Sequence, residues 1–150
     1  MNDNKYGFRR LFTLDEANAR LPLVRAITSD LSALARDLVD RRQRLDSLLA
    51  GRKLSSADVY SDELAEMYKA IERDTRKLEA YVDELQELGV EAKGAVEGLV
   101  DFPSLLEGRV VYLCWKLGEP EVMHWHEIDA GFAGRQPLAL SASLGEVEAN

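Results

Sequence analysis

Apolar residues recur at three–four spacing along the first half of the chain: Val24, Ile27, Leu31, Leu34, Leu38, Leu45 and Leu48, with Ala35 and Leu49 beside them. That period predicts one apolar stripe on a helix running to about residue 50. Ahead of it, Thr13 and Glu16 have capping-box spacing, which starts a helix at Leu14. Pro22 lacks the amide a continuous helix needs. The expectation is therefore a short helix over 14–20 and a long one from about Pro22, with a single kinked helix as the alternative. Gly51 to Ser56 breaks the pattern and reverses the chain. A second stripe follows at Leu64, Met67, Ile71, Leu78, Tyr81, Leu85 and Leu88, capped at its start by Asp58 or Ser61 and stopped by Gly89. Two helices of similar length on a short link predict an antiparallel hairpin over 14–89, in coiled-coil-like register. Asp74 occupies an apolar position of the second stripe, and the pairing sets it near Leu38 and Arg41. A salt bridge to Arg41 is the expected resolution.

After Gly89 the period shortens to two. Val90 to Lys93 and Val96 to Phe102 are candidate strands, and Arg109 to Lys116 is a strand of β-formers buried on both faces. Leu117-Gly118-Glu119-Pro120 turns the chain, and Glu121 to Ile128 returns antiparallel. The fold class is α+β: a long antiparallel helical hairpin packed with a three- to four-stranded antiparallel meander over 90–138. One domain spans 1–140, and residues 141–150 lack periodicity and read as a flexible tail.

Composition changes this picture in three ways. At 150 residues and 46% hydrophobic, the chain can bury a core without disulfides or a structural metal. The single Cys114 has no bridging partner within the chain, the start MNDNKYGFRR carries no signal-peptide pattern, and no apolar run reaches the roughly 18 residues of a membrane span. A cytoplasmic protein with no membrane partner is expected. The net charge of −8 is uneven: residues 1–57 carry 11 Lys/Arg against 7 Asp/Glu, and residues 58–150 carry 8 against 20. The acidic total argues against nucleic acid as a partner. The basic cluster Arg41, Arg42, Arg44, Arg52 and Lys53 reads first as a solvated helix face.

The candidate chemistry gathers between Gly98 and Pro137, with both tryptophans, both histidines and the cysteine. His124-Trp125-His126 on a strand points two imidazoles to one face, a workable metal-ligand pair. A third ligand is needed, and Asp101, Glu97 and Asp129 are the available carboxylates. The candidate metal set is His124, His126 and Asp101, for a divalent ion such as zinc. With Lys116 opposite Glu121, Cys114 falls opposite Met123 and away from the histidines, which counts against a Cys–His site. The ordinary alternative is two histidines hydrogen-bonded locally on a half-polar face. Arg109 and Arg135, each beside a glycine, and Trp125, between the histidines, are candidate ligand-binding residues. Salt bridges to Asp101 or Glu127 are the ordinary fate of those arginines. No phosphate-cradling loop and no nucleophile elbow occurs.

Two segments, FTLDEANARLPLV (Phe12 to Val24) and GLVDFPSLLEGRVVYLCWKLGEPEVMHWHEIDAGFAGRQPL (Gly98 to Leu138), resemble the uncharacterised bacterial family domain of unknown function 2203. The resemblance implies a small single-domain bacterial protein. It brings no established activity, so no functional residue is carried over. The leading expectation is a non-catalytic interaction module forming a homodimer through its helical hairpin, with a further protein partner conceivable. The alternative is a metal-binding protein or metal-dependent hydrolase with a His-x-His site on the last strand. The residues leave open whether the chain is an enzyme.

Overall fold

The computed structural model describes residues 6–50 and 61–138. Helix α1 spans Leu14–Leu49 without interruption. Its capping box is complete: Thr13 Oγ1 accepts from the Glu16 amide at 3.0 Å, and Glu16 Oε1 accepts from the Thr13 amide at 2.9 Å. The expected break at Pro22 is absent, so the split into a short and a long helix is corrected to one helix. Burial is the reason. Ala17, Leu21, Val24 and Ile27 flank Pro22 and seat both sides of it in the core, while Pro22 itself faces solvent. Side-chain burial of that kind outweighs one missing backbone hydrogen bond.

Helix α2 (Ser61–Glu87) returns antiparallel. The reversing link and the candidate cap Asp58 lie outside the described residues, as does the tail over 141–150. Gly89 ends α2 with φ +88°. The Val90 amide reaches the Leu85 carbonyl and the Gly89 amide that of Gln86, both at 2.9 Å, a Schellman closure. Between the helices, Leu38, Leu45, Leu64 and Ile71 form an apolar seam of their own. Arg41 Nη2 meets Asp74 Oδ2 at 2.7 Å, as the pairing requires, and that guanidinium holds the Asp74 carboxyl below the usual carboxylate range.

The sheet has five antiparallel strands in sequence order rather than three or four: β1 (Glu91–Gly94), β2 (Leu99–Leu106), β3 (Arg109–Lys116), β4 (His124–Glu127) and β5 (Gln136–Pro137). The addition is β5, two residues too short to leave a periodic signal. Phe12 adds a parallel bridge to Ser104 on β2, with the Phe12 amide on the Pro103 carbonyl at 2.7 Å. One face of the sheet carries Val100, Phe102, Leu113 and Trp115, all fully buried in the core that also takes Leu21, Val24, Ile27 and Leu85 of the helices. The opposite face is polar, and it holds the site.

β4 starts at His124, three residues later than the expected Glu121. Residues between Lys116 and His124 do not form a tight hairpin; they dock on α1. Val122 is buried and its amide donates to Asn18 Oδ1 at 2.7 Å, while Arg25 Nη2 donates to the Pro120 carbonyl at 3.1 Å. The Trp115 indole donates to the Glu119 carbonyl at 3.1 Å. This longer loop sets the β3–β4 register one residue away from the hairpin estimate, so Cys114 lies opposite His124 and Tyr112 opposite His126. A one-residue slip exchanges the faces of a strand. The expectation that Cys114 faces away from the histidines is therefore reversed.

Candidate functional site

On the polar face, β2 supplies Asp101, β3 supplies Tyr112 and Cys114, and β4 supplies His124 and His126. Register makes them neighbours: Asp101 lies opposite Cys114, and Cys114 opposite His124. Asp101, Cys114 and His126 are 3%, 1% and 1% exposed, and their ligand atoms all lie within 4.8 Å of one another. His126 Nε2 is 3.0 Å from Asp101 Oδ2, and His126 Nδ1 is 2.7 Å from the Glu127 carbonyl oxygen. A carbonyl only accepts, so Nδ1 carries its hydrogen and Nε2 is the atom turned toward Asp101 and Cys114.

Around this trio the groups are linked. Lys93 Nζ lies 3.2 Å from Asp101 Oδ2 and 3.5 Å from Glu91 Oε1, and sits 3.8 Å above the Tyr112 ring. The Tyr112 hydroxyl donates to Glu91 at 3.0 Å. Burial first, then the Glu91 charge and that hydrogen bond, push the Tyr112 hydroxyl well above its ordinary value. On the other side, Arg135 grips Glu119 with both forks, at 3.2 and 2.5 Å, and reaches Cys114 Sγ at 3.9 Å. Burial and then the Asp101 charge push the Cys114 thiol up to about 12, against the opposing pull of Arg135. The thiol keeps its proton at neutral pH and is no ready nucleophile.

A cavity of about 270 Å³ opens beside the trio, lined also by Lys93, Leu99, Ile128, Gly131 and Phe132. The loop after β4 forms its outer wall through a single 3₁₀ turn, Phe132–Gly134.

The structure thus brings together Asp101 and His126 of the expected metal set and adds Cys114. His124 stands apart from that trio: its Nδ1 is buried without a hydrogen bond and lies 3.6 Å from Glu119 Oε2. Glu97 and Asp129 are on turns, and Glu97 is exposed. The two candidate arginines do not meet. Arg109 pairs with Glu127, Nη2 to Oε2 at 2.5 Å, and lies over Trp125 at 5.7 Å from the ring centre. Arg135 pairs with Glu119 rather than with the expected Asp101 or Glu127. Trp125 lies opposite Leu113 on the helix-facing side and belongs to the core. Sequence reasoning missed Cys114 and Lys93 as site members. For Cys114 the signal was the β3–β4 register, which depends on the length of that loop. For Lys93 it was the β1–β2 pairing, which sets Glu91 opposite Asp101 and is irregular between Ala92 and Gly94.

The family model described as "Uncharacterized conserved protein (DUF2203)" matches residues 10–138. The chain belongs to this family. No curated protein and no solved structure matches the chain. Among the described residues, no helix is long and apolar enough to cross a membrane. The matched span begins just before the Phe12 bridge and ends at Leu138, whose amide closes β5 onto the Met123 carbonyl at 2.8 Å. This family member therefore carries every residue of the site inside the matched span.

Proposed function

We propose that this protein binds a divalent transition metal through Asp101 Oδ2, Cys114 Sγ and His126 Nε2. One observation carries the reading: three donors of the zinc-binding types, from three adjacent strands, are buried within 4.8 Å of one another. Thiolate, imidazole and carboxylate together suit zinc rather than magnesium or calcium, which take oxygen ligands. The Glu127 carbonyl on Nδ1 supports it further, because metal-binding histidines are oriented by an acceptor on the second ring nitrogen. Three protein donors beside a cavity leave a coordination position for a small molecule, the pattern of reactive rather than purely structural zinc sites. Cys114 replaces His124 in the expected set.

The test is elemental analysis of untagged protein, wild type beside Cys114→Ser and His126→Ala. Near-stoichiometric metal in the wild type, lost in both variants while their circular dichroism stays native, is the expected result. A metal-free wild type that takes up no zinc or cobalt on dialysis overturns the reading.

Self-association through the hairpin is a second reading. Its support is the exposed apolar side chains Leu23, Val39, Leu48 and Tyr68 along the two helices, at 48, 46, 39 and 49% exposure. Mass in solution decides it: a homodimer that Tyr68→Glu and Val39→Glu dissociate supports it, and a monomer at all accessible concentrations removes it.

A further inference from the structure

We propose that the cavity beside the trio binds a small organic monoanion, a carboxylate with a compact apolar body. This rests on the metal reading above. Charge and shape carry it. A divalent ion held by one thiolate, one carboxylate and a neutral imidazole forms a neutral centre. Lys93 Nζ, 3.2 Å from Asp101 Oδ2, then leaves the cavity lining with one positive charge. Glu91, 3.5 Å from Lys93 and held by the Tyr112 hydroxyl at 3.0 Å, does not line the cavity. A carboxylate has two oxygens for the two positive groups waiting there, the open metal position and the ammonium.

The rest of the cavity offers an anion nothing more. Its walls are Leu99, Ile128, Gly131 and Phe132, so the ligand's body is apolar. At about 270 Å³ the space falls just below the roughly 300–1,000 Å³ of sites for drug-sized molecules, which limits that body to a branched chain or a single ring. Lys116 lies 5.6 Å from the ring centre of Phe132, whereas Arg135, 4.4 Å from the same ring, is already paired with Glu119. Phosphate matches this site poorly: it has no apolar body and carries more charge than Lys93 neutralises.

The experiment uses full-length protein loaded with cobalt(II), whose visible bands report the metal's coordination. Benzoate, benzamide and inorganic phosphate are titrated in separately, against wild type, Lys93→Met and Ile128→Trp. Saturable band shifts with benzoate, at least tenfold weaker with benzamide and phosphate, are expected. Lys93→Met should keep the cobalt bands and weaken benzoate at least tenfold, and Ile128→Trp should keep the bands and block benzoate. Cobalt bands that benzoate leaves unchanged overturn this inference and leave the metal site standing. Equal response to benzamide, or to benzoate in both variants, overturns it too. Absence of cobalt bands in the wild type overturns the metal reading, and this inference with it.

Discussion

Removing the Asp101 carboxylate separates a functional polar cluster from an incidental one, and the structure fixes the size of the effect. In Asp101→Ala, His126 Nε2 loses its partner at 3.0 Å and Lys93 loses one at 3.2 Å. The losses are unequal. The Lys93 side chain is 39% exposed and keeps Glu91 at 3.5 Å, so its share is about 0–1 kcal/mol. The His126 side chain is 2% exposed, and a buried group left unsatisfied costs about 1–3 kcal/mol. The sum is about 1–4 kcal/mol, equivalent to a melting temperature lower by roughly 2–16 °C in a domain of this size. Urea unfolding followed by circular dichroism, with EDTA present, measures it. In the double variant Asp101→Val/His126→Leu, apolar groups replace both partners, and stability should return to within about 1 kcal/mol of wild type or exceed it. Added zinc at a hundred times its dissociation constant should stabilise the wild type by about 2.7 kcal/mol and neither variant. A single-variant loss under about 1 kcal/mol would show that the pair is not the buried, mutually dependent bond argued here.

Three further outcomes follow from particular residues. Gly89→Ala should lose about 1–3 kcal/mol in denaturant unfolding, since φ is +88° and the new Cβ would meet Arg10 Cγ at 2.7 Å; a neutral effect would refute the Schellman closure. Burial alone would raise the Glu119 carboxyl, yet the Arg135 hydrogen bonds, the Lys116 amide and the Arg135 charge hold it below its ordinary 4.5. A depressed carboxylate contributes stability that is complete above about 4.5 and is lost as pH falls through the folded-state value, so Glu119→Gln should flatten the acid limb of a stability–pH curve and leave pH 7–8 slopes unchanged. Zinc titrated into weakly buffered protein at pH 7 should release about two protons per ion, one from the Cys114 thiol and one from the Asp101–His126 bond; release below one would exclude Cys114 as a ligand.

Local signals carried most of the fold. The capping box, the two stripes, the Gly89 stop and the span of β3 are each properties of a few neighbouring residues, and each stands where the pattern puts it. Pro22 is the instructive failure in the helices. Propensity argues for a break there, and only the burial of Leu21 and Val24 against a sheet formed some eighty residues later decides otherwise. The site failed in a different manner. Its residue types were visible in the Gly98–Pro137 segment, but which of them share a face depended on the β3–β4 register. That register is set by Val122 docking on Asn18, a contact between residues 104 positions apart. No periodicity within the strands encodes it, and a slip of one residue was enough to exclude Cys114.

The chemical content of the polar face argues that its burial serves more than the fold. The opposite face already packs Val100, Phe102, Leu113 and Trp115 against the helices. Covering the second face with apolar residues would be at least as stabilising, because buried polar networks seldom outperform hydrophobic replacements of equal volume. Instead the chain sets there Glu91, Lys93, Asp101, Tyr112, Cys114 and His126, joined by hydrogen bonds and ion pairs. Their proton count is the telling feature. The thiol keeps its proton, and the bond between His126 Nε2 and an Asp101 oxygen holds one more. Exchanging those two protons for one divalent cation leaves the buried charge of the trio unchanged. A low-dielectric interior resists any change in net charge far more than it resists such an exchange. The same burial that makes Cys114 inert as a nucleophile therefore suits the trio to a doubly charged ion.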